Sequence, residues 1–309
     1  MDLIFLGTPT FAVPTLERIA GAGHRVLAVF TQPDRPKGRG GQLSQSPVKE
    51  AALRLGLQVY QPDRIKHASA VEQLKEMKPD AMIVVGYGQI IPRVIIDIPR
   101  LGIINVHASL LPRYRGAAPI QWAIANGETR TGVTTMKIDA GLDTGDMLLK
   151  WETQIEPEED ALELGARLAT AGAELLEETL RDNPTPVKQD PAEATYAPIL
   201  KKEDGLIDWN WPASKIFNRS RGFIPWPGVY SFFRGQLFHI WKARVSLEPS
   251  SGEPGRMLPQ KKRLFIVCGN ATTLEPIEVQ VEGRKRMSAE AFLNGQHLQG
   301  NEKLGVKVA

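Results

Sequence analysis

A single cysteine, Cys268, occurs among the 309 residues. An internal disulfide therefore cannot form, and a metal centre built on several thiolates is excluded. No apolar run reaches the ~18 residues that a membrane-spanning helix needs. The amino terminus, Met1-Asp2-Leu3-Ile4-Phe5-Leu6-Gly7, has no basic stretch ahead of its apolar residues, so it reads as a strand and not as a secretory signal. Together these absences predict a cytoplasmic chain. Histidine is scarce as well: His24, His67, His107, His239 and His297 complete the set, and no two are spaced as zinc ligands. No metal is expected. The nucleophile elbow G-x-S-x-G is missing. So is the G-x-G-x-x-G fingerprint, because the first turn reads Gly7-Thr8-Pro9-Thr10-Phe11-Ala12. That argues against a dinucleotide and for another ligand on the same kind of frame.

What is present is ordinary in amount and informative in order. Hydrophobic residues make up 42% and charged residues 24%, the balance of a globular protein, and the length suits two domains. Apolar runs at 2–7, 25–31 and 80–85 alternate with stretches of helical spacing at 9–20, 46–55 and 69–77. This predicts right-handed strand–helix–strand units and an α/β fold with a Rossmann-like, mostly parallel sheet. Further strands are expected over 131–138 and 147–155, and a long amphipathic helix over 161–179. Beyond a Pro- and Asp-rich stretch from Asn183 to Pro198, the pattern changes to short β segments at 229–234, 237–245, 263–268 and 273–281. Turns such as Trp226-Pro227-Gly228 and Glu282-Gly283-Arg284 punctuate them. These predict a smaller, OB-like β-barrel.

Charge is unevenly spread. From Gly205 to Ala309 there are 15 Lys and Arg against 8 Asp and Glu, whereas the first 204 residues hold 23 against 27. A basic rear half suits a polyanionic partner, although a split of this size also arises without one. Arg35, Lys37 and Arg39 cluster in the Gly- and Pro-rich segment 32–47, which is long for a connection within an α/β unit. Three reaching cations there suit phosphate contacts; a solvated insertion fits the same residues. Trp209 and Trp211 read as packing residues in preference to base-stacking ones.

The rest of the chain is organised around residues 101–116. Leu101-Gly102-Ile103-Ile104 reads as a buried parallel strand, and Asn105 and His107 follow at its carboxyl end. Residues two apart in a strand share a face, and open α/β sheets bind ligands at that end. Alone, Asn-x-His is more often a satisfied strand end than a site. Asp139-Ala140-Gly141-Leu142-Asp143-Thr144-Gly145 supplies a carboxylate loop. In a parallel sheet this loop is expected to leave the same edge and return Asp143 beside His107. A carboxylate there holds the imidazole's tautomer, and the amide of Asn105 offers oxyanion donors. That is equipment for acyl transfer without a protein nucleophile.

Asn105-x-His107, then Ser109-Leu110-Leu111-Pro112, then Asp139-x-Gly141-x-Asp143-x-Gly145 resemble the folate-dependent formyltransferases. The resemblance extends over essentially the whole chain. G-T-P-x-F-A at the start, T-Q-P-D-R-P-x-G-R-G in the inserted segment, S-P-V-K after it and the basic rear half are similar to the branch acting on a tRNA. It implies a catalytic domain over 1–189, a linker over 190–208 and a tRNA-binding barrel over 209–309. It implies 10-formyltetrahydrofolate as formyl donor, methionyl initiator tRNA as acceptor, and a monomer. Asn105 and His107 would stabilise the oxyanion, and Asp143 would orient His107. The folate would lie against Tyr87, Gln89, Ile90, Ile91, Ser109, Leu110, Leu111 and Pro112. Arg35, Lys37 and Arg39 would meet the tRNA. A formyltransferase for a small amine, a formyl-folate hydrolase, and an RNA-binding protein with an inert α/β domain are the rival readings.

Overall fold

The apolar runs become strands of a seven-stranded sheet in the computed structural model, which describes residues 1–37, 42–248, 251–296, 298 and 302–305. In chain order the strands are β1 (Asp2–Gly7), β2 (Arg25–Phe30), a short ribbon β3 (Arg35–Lys37) and β4 (Gln42–Ser44), and β5 (Val59–Tyr60). Then come β6 (Ala81–Val85), β7 (Ile103–His107), β8 (Arg130–Lys137) and β9 (Met147–Gln154). The large sheet has the order β5-β2-β1-β6-β7-β8-β9, and β3 pairs only with β4. Pairs from β5 through β7 are parallel, and β8 and β9 are antiparallel. The strand order reverses at β1, so the chain first builds outward to β5 and then returns through β6 and β7. Ligand crevices open at such a reversal.

Helices α1 (Val13–Gly21), α2 (Pro47–Arg54), α3 (Ala68–Met77) and α4 (Arg93–Ile96) connect the parallel strands. Their apolar residues recur at helical spacing: α1 buries Leu16 and Ile19, and α3 buries Ala70, Val71 and Leu74. Ser46 caps α2 by accepting from the Lys49 amide at 3.0 Å. All five residues of β7 are buried. The long helix α6 (Ala161–Asp182) approaches β7 so closely that a Cβ at Gly172 would stand 2.9 Å from Val106 Cγ1. Val106 therefore faces the helix. By the two-residue alternation of a strand, Asn105 and His107 face the other side.

The chain divides into two units, and the division is not one cut. The first unit holds residues 1–119, 130–154 and 164–198, and the second holds 120–129, 155–163 and 199–309. The stretch 190–208 is split between them. Residues 195–197 are zipped to the first unit, with the Arg115 amide donating to the Thr195 carbonyl at 2.8 Å and the Ala197 amide to the Arg115 carbonyl at 2.7 Å. In the second unit the Ile207 amide donates to the Tyr230 carbonyl at 2.8 Å.

The second unit contains α5 (Pro119–Ala125, from Ile120), α7 (Ala213–Gly222) and α8 (Ala289–Gly295). Its strands are β10 (Val229–Phe233), β11 (Gln236–Ser246), β12 (Met257–Gln260), β13 (Arg263–Val267), β14 (Thr273–Val281) and β15 (Met287–Ser288). They form an antiparallel sheet of order β10-β11-β14-β13-β12, with β15 on β14. Both edges are covered by residues 302–305. The Met257 amide donates to Glu302, the Leu304 amide to Gly255, and Gly305 and Phe232 exchange two hydrogen bonds. The tail thus closes the sheet into a barrel and removes its open edges. Leu304 plugs the interior with Trp209, Phe233, Phe238, Phe292 and Cys268. Burial pushes the Cys268 thiol up to about 12, so it stays protonated and inert. Neither α7 nor β12 is visible as a pattern in the sequence: β12 buries only Met257, and two of the four buried positions of α7 are Ser220 and Gly222, which carry no apolar signal. Among the described residues no helix is long and apolar enough to cross a membrane.

Since Leu304 is fully buried in the closing segment, Leu304→Ala is expected to destabilise the barrel by about 2–5 kcal/mol. Urea unfolding followed by tryptophan fluorescence measures it, because five of the six tryptophans lie in the second unit.

Candidate active site

His107 is buried and its orientation is chemically determined. Its Nε2 lies 2.9 Å from the carbonyl oxygen of Tyr114. A carbonyl only accepts, so Nε2 carries the proton in the neutral ring, and Nδ1 is the nitrogen left free to gain or lose one. Nδ1 stands 3.7 Å from Asp143 Oδ2. That carboxylate oxygen in turn accepts from the Gly116 amide at 2.8 Å. Tyr114 and Gly116, two positions apart, therefore hold one member of the pair each. The tautomer is held by a backbone carbonyl, and not by Asp143 as the sequence led us to expect.

The route of the Asp143 loop also differs from expectation. β8 runs antiparallel to β7, with Ile104 opposite Lys137 and His107 opposite Thr134. The loop therefore leaves level with the start of β7 and must fold back to bring Asp143 to His107. Its own residues make that turn. Asp139 Oδ1 accepts from the Gly141 amide at 3.0 Å and from Thr144 Oγ1 at 2.7 Å. A Cβ at Gly145 would lie 1.9 Å from the Lys137 carbonyl oxygen, so the chain can pass only as glycine. Asp143 itself adopts φ +51°. Of the two aspartates in the motif, Asp139 shapes the loop and Asp143 reaches the imidazole.

Asn105 is different from its neighbours. Its side chain makes no hydrogen bond among the described residues. Unlike the hydroxyl of Tyr87, which is sealed in the core without a partner, its polar atoms are not closed off. An open amide at the end of an otherwise satisfied strand is a ready contact for a ligand.

The turn after β7 is hung from β8. Thr134 Oγ1 donates to the Ser109 carbonyl at 2.7 Å and accepts from the Leu111 amide at 3.2 Å. Ser109 Oγ donates to the Arg113 carbonyl. Leu111 and Pro112 are buried, and Leu110 is half-buried. The loop after β6 leaves the adjacent strand at the same sheet end, since Val84 pairs with Asn105. There Gln89 is already engaged, accepting from the Ile65 amide at 2.7 Å and donating to the Pro62 and Asp63 carbonyls. Tyr87 and Ile91 belong to the core, and burial holds the Tyr87 phenol far above its usual ionisation. Ile90 is 91% exposed. The two expected donor-binding segments thus come together, but Tyr87, Gln89, Ile91 and Ser109 spend their side chains on the fold. What they leave for a ligand is the exposed Ile90, the half-buried Leu110 and the amide of Asn105.

A family model described as formyl transferase matches residues 1–180, and one described as formyl transferase, C-terminal domain, matches 199–297. A methionyl-tRNA formyltransferase of Solibacter usitatus is 60% identical over 309 residues, covering 99% of each chain. One of Koribacter versatilis is 57% identical, again over 99% of each. The chain belongs to the methionyl-tRNA formyltransferases. Solved structures agree on the fold. An N-formyltransferase of Helicobacter canadensis superposes with a TM-score of 0.69 at 19% identity, over 89% of this chain and 98% of that one. A methionyl-tRNA formyltransferase of Clostridium thermocellum gives 0.56 at 18%, over 87% and 100%.

Within this formyltransferase the inserted segment 32–47 is not a plain loop. Arg35 pairs across the ribbon with Ser44, and Lys37 with Gln42. Arg39 and the side chain of Lys37 lie outside the described residues. The root of the ribbon is anchored. Asp34 is paired with Lys49 at 2.6 Å and accepts from Gln61 at 2.8 Å, and these bonds hold its carboxyl below the usual range. Arg35 is exposed and touches Gln32 at 3.3 Å. Trp209 is a core residue whose Nε1 donates to Ser231, and Trp211 carries Lys215 and Arg219 on its ring, so both pack.

Tyr114, Gly116 and Thr195 escaped the sequence reading because Tyr114 and Gly116 act through backbone atoms, and the Thr195 hydroxyl accepts from the Tyr114 amide 81 positions away. Gly116 alone left a trace, as the glycine ending the central stretch. It has φ +118°, and a Cβ there would meet the Ala197 carbonyl oxygen at 2.6 Å. Gly116→Ala is therefore expected to displace the amide that holds Asp143 and to lower formyl transfer about 10²-fold, as misplacement by an ångström does. Steady-state turnover measured beside a circular-dichroism melt checks it.

Proposed function

We propose that this chain transfers the formyl group of 10-formyltetrahydrofolate to the free α-amine of methionyl initiator tRNA, with Asn105, His107 and Asp143 as the working residues. One observation carries the reading: an unpartnered amide, Asn105, stands two residues from an imidazole whose Nδ1 faces a carboxylate at 3.7 Å.

The chemistry follows from those atoms. The amine nitrogen attacks the formyl carbon, and the carbonyl electron pair moves onto oxygen. The Asn105 amide donates to that oxyanion, joined by Nδ1–H when His107 is protonated. Asp143 balances the imidazolium and takes the amine's proton through water. Reforming the carbonyl breaks the bond to the folate nitrogen, which leaves with a proton delivered from the same pair. No side chain is acylated, so the site needs no serine or cysteine nucleophile.

The donor fits the strip between the two loops. Ile90 and Leu110 supply apolar cover, while the Leu110 amide and the Leu111 carbonyl, which have no partner among the described residues, offer a donor and an acceptor to a flat heterocycle. Tyr87, Gln89, Ile91, Ser109, Leu111 and Pro112 serve it by shaping the two loops. Arg35, Lys37 and Arg39 of the inserted segment meet tRNA phosphates, and the basic barrel meets more of them. The enzyme works as a monomer in the cytoplasm, where translation begins.

Asn105→Ala and His107→Ala should each lose about 10²–10³-fold in kcat with folding intact. Radiolabelled formyl transfer to methionyl-tRNA measures this. Glycinamide ribonucleotide as acceptor separates the rival assignment, and efficient transfer to it alone would sink ours. Arg39→Ala should flatten the slope of log affinity for tRNA against log salt by about 0.7–0.9. Donor affinity, from fluorescence quenching, should stay unchanged; a collapse there would put the ribbon in the donor site.

A further inference from the structure

The residues assigned so far leave one buried polar pair without a role. Arg115 is 4% exposed and Gln189 is 8% exposed. Arg115 directs Nε at 3.0 Å and Nη2 at 2.8 Å to the same atom, Gln189 Oε1. Gln189 Nε2 then donates at 2.8 Å to the Asp143 carbonyl and at 2.8 Å to the Gly145 carbonyl. Every one of these contacts lies within the first unit. The direction of the amide is not in question, because a guanidinium only donates and carbonyls only accept.

We propose that Gln189 is a positioning residue for formyl transfer, clamping the backbone of the Asp143 loop to Arg115 so that the carboxylate stays within reach of His107. The proposal rests on the reading of Asn105, His107 and Asp143 given above. The loop reaches the imidazole only by folding back from the wrong end of an antiparallel strand. Asp143 has φ +51°, a conformation that an aspartate holds only when its surroundings impose it. The Gly116 amide fixes one carboxylate oxygen, and Gln189 fixes the main chain on both sides of Thr144. Arg115 lies between Tyr114, whose carbonyl orients His107, and Gly116, whose amide holds Asp143. The pair therefore ties the loop to the three-residue segment that sets both partners. A glutamate of the same shape would satisfy Arg115 but would turn an acceptor on two carbonyls. The requirement is for an amide, which distinguishes a clamp on the loop from a mere partner for a buried cation.

Two variants separate those roles. Gln189→Met keeps the volume and loses all four hydrogen bonds, and Gln189→Glu keeps only the contacts to Arg115. Both are expected to fold, to retain KM for donor and tRNA within about twofold, and to lose kcat by about 10- to 100-fold. The kcat–pH profile of each should shift toward that of Asp143→Asn. On the Asp143→Asn background either substitution should cost no further rate, since the clamp then has nothing to position. Gln189→Glu with wild-type kcat would overturn the proposal, as would an equal loss on both backgrounds. If one variant fails to fold, the other carries the test. Full activity in Asp143→Asn itself would instead overturn the reading of the site.

Discussion

The hydrogen bond from His107 Nε2 to the Tyr114 carbonyl decides what the site can do. It assigns the ring's proton to Nε2, and so leaves Nδ1 as the nitrogen that faces Asp143. It is available only because the chain turns back after β7 and passes over its own strand end. That turn is held by Thr134 beneath it and by residues 195–197 beside it. The first is a side-chain hydroxyl on backbone and the second backbone on backbone, and both join segments far apart in the sequence. A buried imidazole without such an acceptor would cost about 1–3 kcal/mol for the unmade bond, and its tautomer would be undetermined.

Around this bond nearly every polar group is satisfied, and the exception is informative. Asp139, Thr144, Gln89, Ser109 and Gln189 all spend their side chains on shaping loops. Asn105 does not. In a strand buried on both faces an open amide is a standing cost, and it becomes intelligible once a developing oxyanion is its partner. Rigidity is thus concentrated in the surroundings, and among the described residues the Asn105 amide stays open beside the His107–Asp143 pair.

The basic rear half is less available to a polyanion than its composition implies. Arg221 donates to the Glu156 and Glu159 carbonyls, Arg263 is paired with Glu275, and Arg234 with Glu302. Arg219 lies against Trp211 and Phe223. These cations build the unit. Lys242, Arg244, Arg284 and Lys285 remain exposed on the barrel, and Arg286 rests over Trp241. Net charge counted along the chain overstates the surface field because a guanidinium serves packing as readily as it serves a phosphate.

By itself the sequence determined the strands of the large sheet and the longer helices of the front half, though not the β3–β4 ribbon or α4, and the β character of the rear, and it singled out Asn105, His107 and Asp143 as a candidate group. Apolar periodicity, turn residues and side-chain chemistry are local properties, so they are written where they act. Only the tertiary structure decided how the three come together. The antiparallel run of β8 reversed the expected route of the Asp143 loop, since strand direction depends on pairing and not on the strand's own residues. Tyr114 acts through a carbonyl that every residue possesses, which leaves no mark in a string of side chains, and Gly116 marks only that a glycine is needed, not that its amide meets Asp143. Gln189 matters through contacts made across 46 and 44 positions with Asp143 and Gly145. The closing of the barrel by residues 302–305 is of the same kind: it joins two sheet edges that no spacing in the sequence connects.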